Sequence, residues 1–330
     1  MKFILGIDQG GTKTAAALMG TDGRIYGTGF EQGAYFPVHG KETALLLMQN
    51  AAEKAMAQAG SGVSDIEMIV AGVTGVDWQG DDEMIAAALR EWLPVNEVSV
   101  CNDCVIALYG GTYHGTGAVI CAGTGLNAAI RKSGGECFVF GDYLGENLQG
   151  ATALAQRGAR AVFDARLGIG EAERLTALYL KFAEAENVDD LLHKYMTDTA
   201  FQDHLRYIVP EIVALAEERD ETTRRLLECF AEELNIYITA GLRKMDMQDQ
   251  ALDIVLAGSV FKGKDNPLTN HLIRKIREDI PNANVLRARY EPVVGACVMG
   301  MLQKQEFTEE MRRSLSDSAE KMSLLRDISS

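Results

Sequence analysis

The segment GIDQGGTKT near the start of the chain combines residue types that could bind phosphate and a metal ion. Gly10 and Gly11 permit positive φ and let backbone N–H groups come close to phosphate oxygens. Thr12 adds a hydroxyl donor, and Lys13 adds a positive charge. Asp8 could hold a hydrated Mg²⁺, an ion that prefers oxygen ligands and keeps its waters. The alternative is a tight hairpin whose polar side chains are only solvated.

The sequence around these glycines excludes the two phosphate loops that open a helix. A P-loop needs the pattern G-x-x-x-x-G-K-[ST], and the dinucleotide fingerprint needs G-x-G-x-x-G, each followed by a helix. Here the glycines lie between KFILGID and TAAALMG, two apolar runs of strand length. We therefore predict a β-hairpin whose turn faces a ligand.

A second glycine turn lies in GAVICAGTGLNAAI, where Gly123, Thr124 and Gly125 again separate two apolar runs. Two such hairpins on opposite sides of a cleft would hold a triphosphate between them. The buried run IVLAGSVF contains Gly258 and Ser259, and a glycine there would let adenine or ribose lie against the backbone. Together these three segments predict an ATP site.

The order of elements predicts an α/β chain made of two similar halves. Each half begins with a three-stranded meander, and helices and further strands follow it. Helical patterns cover Glu42–Gln58 and Asp81–Trp92, and a long amphipathic stretch over Asp203–Met245 is interpreted as scaffold. A chain of 330 residues exceeds the usual size of a single core, so we place the domains at 1–116 and 117–304.

Composition and charge limit the partners of this chain. The net charge is −15, so the surface should repel nucleic acid and anionic membranes. No apolar run reaches the ~20 residues of a membrane span, and no secretion signal is visible. We therefore expect a cytoplasmic protein with reduced cysteines. The sequence leaves open whether it forms a homodimer.

Five segments resemble the actin/Hsp70/sugar-kinase ATPase superfamily and, within it, the BadF/BadG/BcrA/BcrD ATPase family with its N-acetylglucosamine kinase branch. They occur in the order of the family motifs and span residues 4–300: GIDQGGTKT, VSVCNDCVIALYGG, ICAGTGLN, IVLAGSVF and EPVVGACVMG. The resemblance implies two ribonuclease H-like domains with a cleft between them, and ATP with Mg²⁺ as cofactors. It also implies a final helix, about 305–330, that packs back on the first domain.

The resemblance assigns roles to polar residues outside the glycine turns. Asp103 would be the general base, the group that takes the proton of the attacking hydroxyl. Asn102 and Asn127 would contact the sugar. The alternative is that Asn102 or Asp103 only caps the helix that begins at Cys104.

Other polar residues could contact the acceptor. The strand VAGVTGVD ends with Thr74 and Asp77, which offer polar groups at the cleft. In the family, a G-D-E-G-S-like segment follows the second meander, and its aspartate binds sugar hydroxyls. The matching stretch here is LGENLQG, so Glu146 takes that place, unless Asp142 in FGDYLG does. A GPxN-like sugar segment is replaced by EQGAYFPVHG, so both departures lie on the sugar side.

These features predict a kinase that transfers the γ-phosphate of Mg·ATP to a hydroxyl of an amino sugar, with N-acetylglucosamine or a close relative as the expected acceptor. One alternative is an ATP-hydrolysing activator of a 2-hydroxyacyl-CoA dehydratase-type enzyme, which holds an Fe–S cluster through cysteines. Cys121 in ICAGTG matches such activators, but their G-G-Q-D segment is missing. We expect Cys101, Cys104, Cys121 and Cys137 to act as buried small hydrophobes. Another alternative is an ATP-binding module of the Hsp70 or actin type without a small-molecule acceptor.

Overall fold

The computed structural model describes residues 1–263 and 265–326 and contains two five-stranded mixed sheets. The first sheet consists of β1 (Phe3–Gln9), β2 (Lys13–Gly20), β3 (Ile25–Gln32), β4 (Ile66–Val73) and β5 (Glu97–Cys101). The second consists of β6 (Gly117–Ala122), β7 (Leu126–Arg131), β8 (Cys137–Val139), β9 (Leu252–Ala257) and β10 (Ala283–Arg287). The strand orders are β3-β2-β1-β4-β5 and β8-β7-β6-β9-β10, so both sheets have the same topology.

In each sheet the first three strands form an antiparallel meander, and the last two run parallel to the first strand. Parallel strands end at the same edge of a sheet. Asp8, near the end of β1, pairs with Gly72 of β4, and Gly72 pairs with Cys101 of β5. The segments that follow these three strands therefore begin side by side.

Helices surround both sheets. The first half contributes α1 (Phe36–His39), α2 (Lys41–Ala59), α3 (Asp81–Trp92) and α4 (Asp103–Tyr109). The second half contributes α5 (Gly150–Arg166), α6 (Glu173–Ala183), α7 (Val188–Thr197), α8 (Thr199–His204), α9 (Val209–Glu217), α10 (Glu221–Lys244) and α11 (Pro267–Asp279). The chain continues through α12 (Pro292–Lys304) and α13 (Glu309–Lys321). Within the described residues, no helix has the length and apolar character needed to cross a bilayer.

β1 is buried along its whole length because helices cover both of its faces. Leu5 and Ile7 pack in the cluster that includes α2, whereas Ile4 packs in the cluster that includes α12. A continuous apolar run is typical of a strand that is covered on both sides. This explains why FILGI shows no alternation of polar and apolar residues.

The helical stretch predicted over Asp203–Met245 is not continuous. α9 ends at Glu217, and Arg219 adopts a left-handed backbone with a φ of 66°. Asp220 then caps α10, since its side chain accepts a hydrogen bond from the Thr223 N–H at 2.9 Å. Most left-handed helix ends use glycine, and this one does not, so the sequence pattern gave no sign of the break.

α4 and α12 cross between the two sheets. At the crossing, a Cβ on Gly295 would overlap the Ile106 carbonyl oxygen and lie 2.9 Å from the Gly110 nitrogen. The two helices share one apolar cluster with Ile4 of the first sheet and Val119 of the second. The halves are therefore joined by a close backbone contact between two helices.

α13 lies against the first sheet, although it follows the second in sequence. Its Ser318 hydroxyl oxygen accepts a hydrogen bond from the Ile25 N–H at 3.0 Å, and Met311 is buried in the same cluster as Ile25. The final helix expected at about 305–330 corresponds to this element. Residues 327–330 of that segment lie outside the described part of the chain.

We predict that Gly295→Ala destabilises the protein. The helical backbone of α12 accepts alanine, which alone favours a helix by about 1 kcal/mol relative to glycine. The added methyl group, however, overlaps the Ile106 carbonyl oxygen, and overpacking of this kind costs ~1–3 kcal/mol. The midpoint of urea unfolding should therefore fall.

Gly134→Ala is the matched control, because no heavy atom lies within 4 Å of its Cβ position. Its unfolding midpoint should stay near that of the wild type. An unchanged midpoint for Gly295→Ala would mean that the two helices do not meet at this point in solution.

Candidate nucleotide and acceptor site

Both glycine segments form hairpin turns. The first closes with a hydrogen bond from the Gly10 N–H to the Lys13 oxygen of 2.9 Å, and the second with one from the Gly123 N–H to the Gly125 oxygen of 3.0 Å. Neither Gly10 nor Gly11 has a positive φ, so the expected use of left-handed backbone there is wrong. No heavy atom lies within 4 Å of the Cβ positions of Gly11 and Gly123, so both turns border space that a ligand can enter.

The segment after β3 supports the first turn, a contact that sequence reasoning missed. The Ala34 N–H donates to the Gly10 oxygen at 3.1 Å, and the buried Gln9 amide donates to the Ala34 oxygen. A Cβ on Gly33 would overlap the backbone nitrogen of Thr12. The glycine of EQGAYFP, directly after a strand, was the signal that could have indicated this contact.

A cavity of about 480 Å³ opens beside the second turn. This volume falls in the range of small-molecule sites. Thr124 and Ser259, both predicted to bind ATP, line it. The lining residues that sequence analysis missed include Arg206, Tyr207, Val209, Pro210, Val213, Glu217, Lys262 and Asn266. Most of them belong to the stretch over Asp203–Met245 that was interpreted as scaffold. They were missed because the helical periodicity of a sequence indicates which face of a helix is buried, and it does not indicate a cavity on the opposite face.

Gly258 has a structural role beside this cavity. Its φ of 111° is a conformation that favours glycine, and a Cβ there would overlap the Ala122 oxygen at the end of β6. The residue therefore allows the ends of two neighbouring strands to approach each other. Its contact with a nucleoside remains a prediction.

Asp8 is a buried carboxyl near the end of β1, with 8% of its surface exposed. Burial raises its pKa to about 7, and the nearby Asp103 carboxyl adds to the rise, whereas Lys13 lowers the pKa. The pKa of the Cys121 thiol in β6 is also raised, first by burial and then by the charges of Asp103 and Asp8. Two carboxyls of the first half therefore face the second half. Such acidic oxygens fit a hydrated Mg²⁺.

Asp103 is the first residue of α4, and Asn102 is the N-cap of that helix. The Asn102 side-chain oxygen accepts a hydrogen bond from the Cys104 N–H at 3.0 Å. Burial raises the pKa of Asp103 to about 6, the charge of Asp77 adds to the rise, and backbone N–H groups and the Thr74 hydroxyl lower it. The capping alternative thus describes Asn102, whose side chain makes the cap, and not Asp103.

Hydrogen bonds connect the two halves on the acceptor side. Asn102 Nδ2 donates to Asp77 Oδ1 at 2.7 Å, and Asn127 Nδ2 donates to Asn102 Oδ1 at 3.2 Å. Asn127 Oδ1 accepts a hydrogen bond from the Gly141 N–H at 2.9 Å. Asp77 and Asn102 follow strands of the first sheet, and Asn127 lies in β7. The structure thus brings three predicted acceptor residues from both halves together, and we call them the acceptor network.

The two carboxylates considered for the sugar lie in different places. Burial raises the pKa of Asp77, and the charge of Asp142 is the next cause, so Asp142 lies near the acceptor network. Glu146 is exposed and begins a short 3₁₀ turn, Glu146–Leu148. No hydrogen bond within the described residues joins its side chain to the acceptor network.

Lys13 is paired with a carboxylate of the second half. Its Nζ lies 3.1 Å from Glu291 Oε2, and Glu291 Oε1 lies 3.7 Å from Arg326 Nε. Glu291 opens the segment EPVVGACVMG, and Arg326 follows α13. Sequence reasoning assigned no role to Glu291 or Arg326. Lys13 and Glu291 are 278 positions apart, so no local pattern links them.

The cysteines around Asp103 are free and have different environments. Cys104 is buried, Cys101 and Cys121 are half-buried, and Cys137 is exposed. The prediction that all four are buried is therefore wrong for Cys137, which begins a three-residue edge strand. In the described part of the chain, no group of three or more His, Cys, Asp or Glu side chains could hold a metal ion directly.

The repeated sheet topology defines an actin-like ATPase fold, the class that includes sugar kinases. A solved structure from Chromobacterium violaceum, provisionally named an N-acetylglucosamine kinase, is similar with a TM-score of 0.67 at 21% identity. The similarity covers 92% of this chain and 99% of that one. The predicted fold class, α/β with two ribonuclease H-like domains, is confirmed.

The family model of the BadF/BadG/BcrA/BcrD ATPases matches residues 5–300, and the chain belongs to this family. The N-acetylmuramic acid/N-acetylglucosamine kinase of Clostridium acetobutylicum is 23% identical to it, over 91% of this chain and 98% of that protein. The N-acetyl-D-glucosamine kinase of Dictyostelium discoideum is 24% identical, over 92% of this chain and 99% of that protein.

We predict that Asp103→Asn stabilises the folded protein at pH 8 and not at pH 4. The folded pKa of about 6 exceeds the ordinary 3.8, so the contribution of this carboxyl to stability is complete below pH 4 and is lost as pH rises through 6. The amide avoids the burial of a charge, and the free energy of unfolding at pH 8 should rise by about 1–3 kcal/mol.

Urea unfolding at both pH values measures this difference. Asp82→Asn, the same chemical change at an exposed position of α3, should have little effect at either pH. Equal effects of Asp103→Asn at pH 4 and pH 8 would contradict the raised pKa.

Proposed function

We propose that the protein is an ATP-dependent carbohydrate kinase whose acceptor is an amino sugar, N-acetylglucosamine or a close relative. The observation that carries this proposal is the position of the Asp103 carboxyl, next to the acceptor network and close to Asp8. The two relatives named as N-acetylglucosamine kinases match this chain over at least 98% of their length and support the class of acceptor.

Asp103 would accept the proton of the acceptor hydroxyl as the hydroxyl oxygen attacks the γ-phosphate, the bond from the γ-phosphorus to the bridging oxygen breaks, and ADP leaves. A pKa of about 6 leaves this carboxylate mostly ionised at neutral pH and makes it more basic than an ordinary aspartate. The Thr74 hydroxyl and nearby backbone N–H groups favour its ionised form, because they lower its pKa. A base matched in this way to neutral pH suits phosphoryl transfer, where the protein mainly positions and stabilises charge.

The phosphate side is formed by the two glycine turns. The Cβ positions of Gly11 and Gly123 border open space, and Thr12 and Thr124 add hydroxyl donors. The cavity beside Ser259 would receive the nucleoside. Asp8 would hold Mg²⁺ through water, and the bound ion would neutralise part of the phosphate charge.

The acceptor side is formed by Asp77, Asn102 and Asn127, with Asp142 beside them. Carboxylate oxygens accept hydrogen bonds from sugar hydroxyls, and the asparagine amides can both donate and accept. Such a set binds a polyhydroxylated ligand and holds one hydroxyl near Asp103. Closure of the halves over the sugar would keep out water that could otherwise be phosphorylated.

The activator alternative has less support, because both of these relatives are named as kinases. All six cysteines are free, and together with the use of ATP this supports a cytoplasmic location.

The proposal predicts that ATP turnover depends on the sugar. With N-acetylglucosamine or a related amino sugar, an ADP-coupled assay should give turnover well above that with ATP alone. Asp103→Asn should lower kcat by roughly 10²–10⁴-fold, because it removes the base. In the wild type, kcat/KM should fall as the pH drops below about 6, where Asp103 becomes protonated.

Asp82→Asn controls for the loss of one negative charge and should keep the wild-type kcat. Turnover that is the same with every sugar tested would refute a kinase and favour an ATPase without a small-molecule acceptor. Near-normal kcat in Asp103→Asn would refute the base role alone.

The two candidate sugar carboxylates can be distinguished by a pair of variants. Asp142→Asn should raise the KM for the sugar and leave the KM for ATP nearly unchanged, because Asp142 lies near Asp77. Glu146→Gln removes the same charge from the next 3₁₀ turn and should have a smaller effect. The opposite order would assign the sugar contact to Glu146, and equal changes in both KM values would place these carboxylates away from the sugar.

A further inference from the structure

We propose that Lys13, Lys262 and Arg326, gathered around Glu291, form a binding site for the outer phosphates of the nucleotide. This inference rests on the proposed function and extends it, since it adds residues of the second half and of the segment after α13 to the phosphate site. We call these four residues the cation cluster.

Glu291 is the centre of the cation cluster. It lies 3.1 Å from Lys13 Nζ and 3.7 Å from Arg326 Nε, and 24% of its side chain is exposed. Burial alone would raise the pKa of Glu291, but the charges of Arg326, Lys13 and Lys262 lower it below its ordinary value. Lys13 and Arg326 thus share one carboxylate, and Lys262 lines the same small cavity as Arg326. With Asp8 counted as well, three cations face two carboxyls, and the remaining positive charge can attract an anion.

The position of Arg326 is fixed by the backbone around it. Its N–H donates to the Arg289 oxygen at 2.9 Å, and the Glu291 N–H donates to the Leu324 oxygen at 2.9 Å. Leu324 is buried, and 14% of the Arg326 side chain is exposed. The backbone of Arg326 is therefore fixed before a ligand binds, and burial of most of the side chain restricts it further, which lowers the entropy cost of a contact with phosphate.

Lys262 and Arg326 connect the cation cluster to the nucleoside cavity. Both line a small cavity of about 20 Å³ that also includes Gly258 and Arg287. Lys262 lines the 480 Å³ cavity as well. On the other side, Lys13 belongs to the first phosphate turn. The three cations therefore lie between the expected nucleoside site and the turn that faces the phosphates.

The negative net charge of the whole chain gives the three grouped cations added significance for phosphate binding. The protein has a net charge of −15, so phosphate groups need a local positive field in order to bind. Lys13 begins β2, which pairs with β1, the strand that contains Asp8, the carboxyl proposed to hold the metal ion. Glu291 would orient the cations, and the phosphate would complete their contacts.

If the cation cluster binds phosphates, the affinity of this protein for an adenine nucleotide should depend on the number of phosphates that the nucleotide carries. Arg326→Gln and Lys262→Gln should each weaken the binding of ADP and ATP by about tenfold or more, since each removes a charge-assisted contact. Adenosine, which carries no phosphate, should bind both variants as it binds the wild type. Isothermal titration without sugar measures all three ligands, and Arg326→Lys should restore part of the affinity for ADP.

Arg313→Gln is the matched control, because Arg313 lies in α13, its side chain is 78% exposed and the charge change is the same. It should bind all three ligands as the wild type does. Lys262 is exposed, so Lys262→Gln keeps the test valid if Arg326→Gln fails to fold.

Wild-type affinity for ADP in folded Arg326→Gln and Lys262→Gln would overturn this inference and leave the kinase proposal intact. An equal loss of adenosine and ADP would also overturn it, because that pattern indicates damage to the nucleoside cavity. A wild-type protein that binds neither ADP nor ATP would overturn the inference and the kinase proposal together.

Discussion

The crossing of α4 and α12 is the contact on which the site depends. At Gly295 the two helices approach so closely that a Cβ on this residue would overlap the Ile106 carbonyl oxygen of α4. Asn102 and Asp103 stand at the start of α4, and Glu291 precedes α12. The point of contact thus sets the distance between Asn102 and Asp103 at the start of α4 and Glu291 before α12. A pair of helices that crossed farther apart would separate them.

The same arrangement places several carboxyls where water is scarce. Burial raises the pKa of both Asp8 and Asp103, and each carboxyl adds to the difficulty of ionising its neighbours. Ionised at neutral pH, such groups oppose folding, and the apolar clusters on both sides of the two sheets must compensate for them. Groups of this kind are common at functional sites, where a shifted pKa serves the reaction.

Local patterns in the sequence predicted the elements near the first turn well, because each carries its own signals. The helix at Asp81–Trp92 has the predicted bounds, and both glycine turns are hairpins. The break at Arg219 escaped prediction because a left-handed arginine leaves no mark in composition. Cys137 was placed in the interior because a short edge strand resembles a buried one in sequence. Arg326 was missed for another reason: its partner Glu291 becomes a neighbour only when the chain folds back along α13.

Four glycines of this chain form two groups that sequence alone does not separate. At Gly258 and Gly295 a methyl group would meet the protein's own backbone, whereas at Gly11 and Gly123 it would meet only open space. Natural selection therefore acts on them through different quantities. Change in the first group lowers the amount of folded protein in the cell, whereas under the proposed function change in the second would alter the rate per molecule while abundance stays the same. Paralogues that have lost catalysis but kept the fold should diverge at Gly11 and Gly123 first.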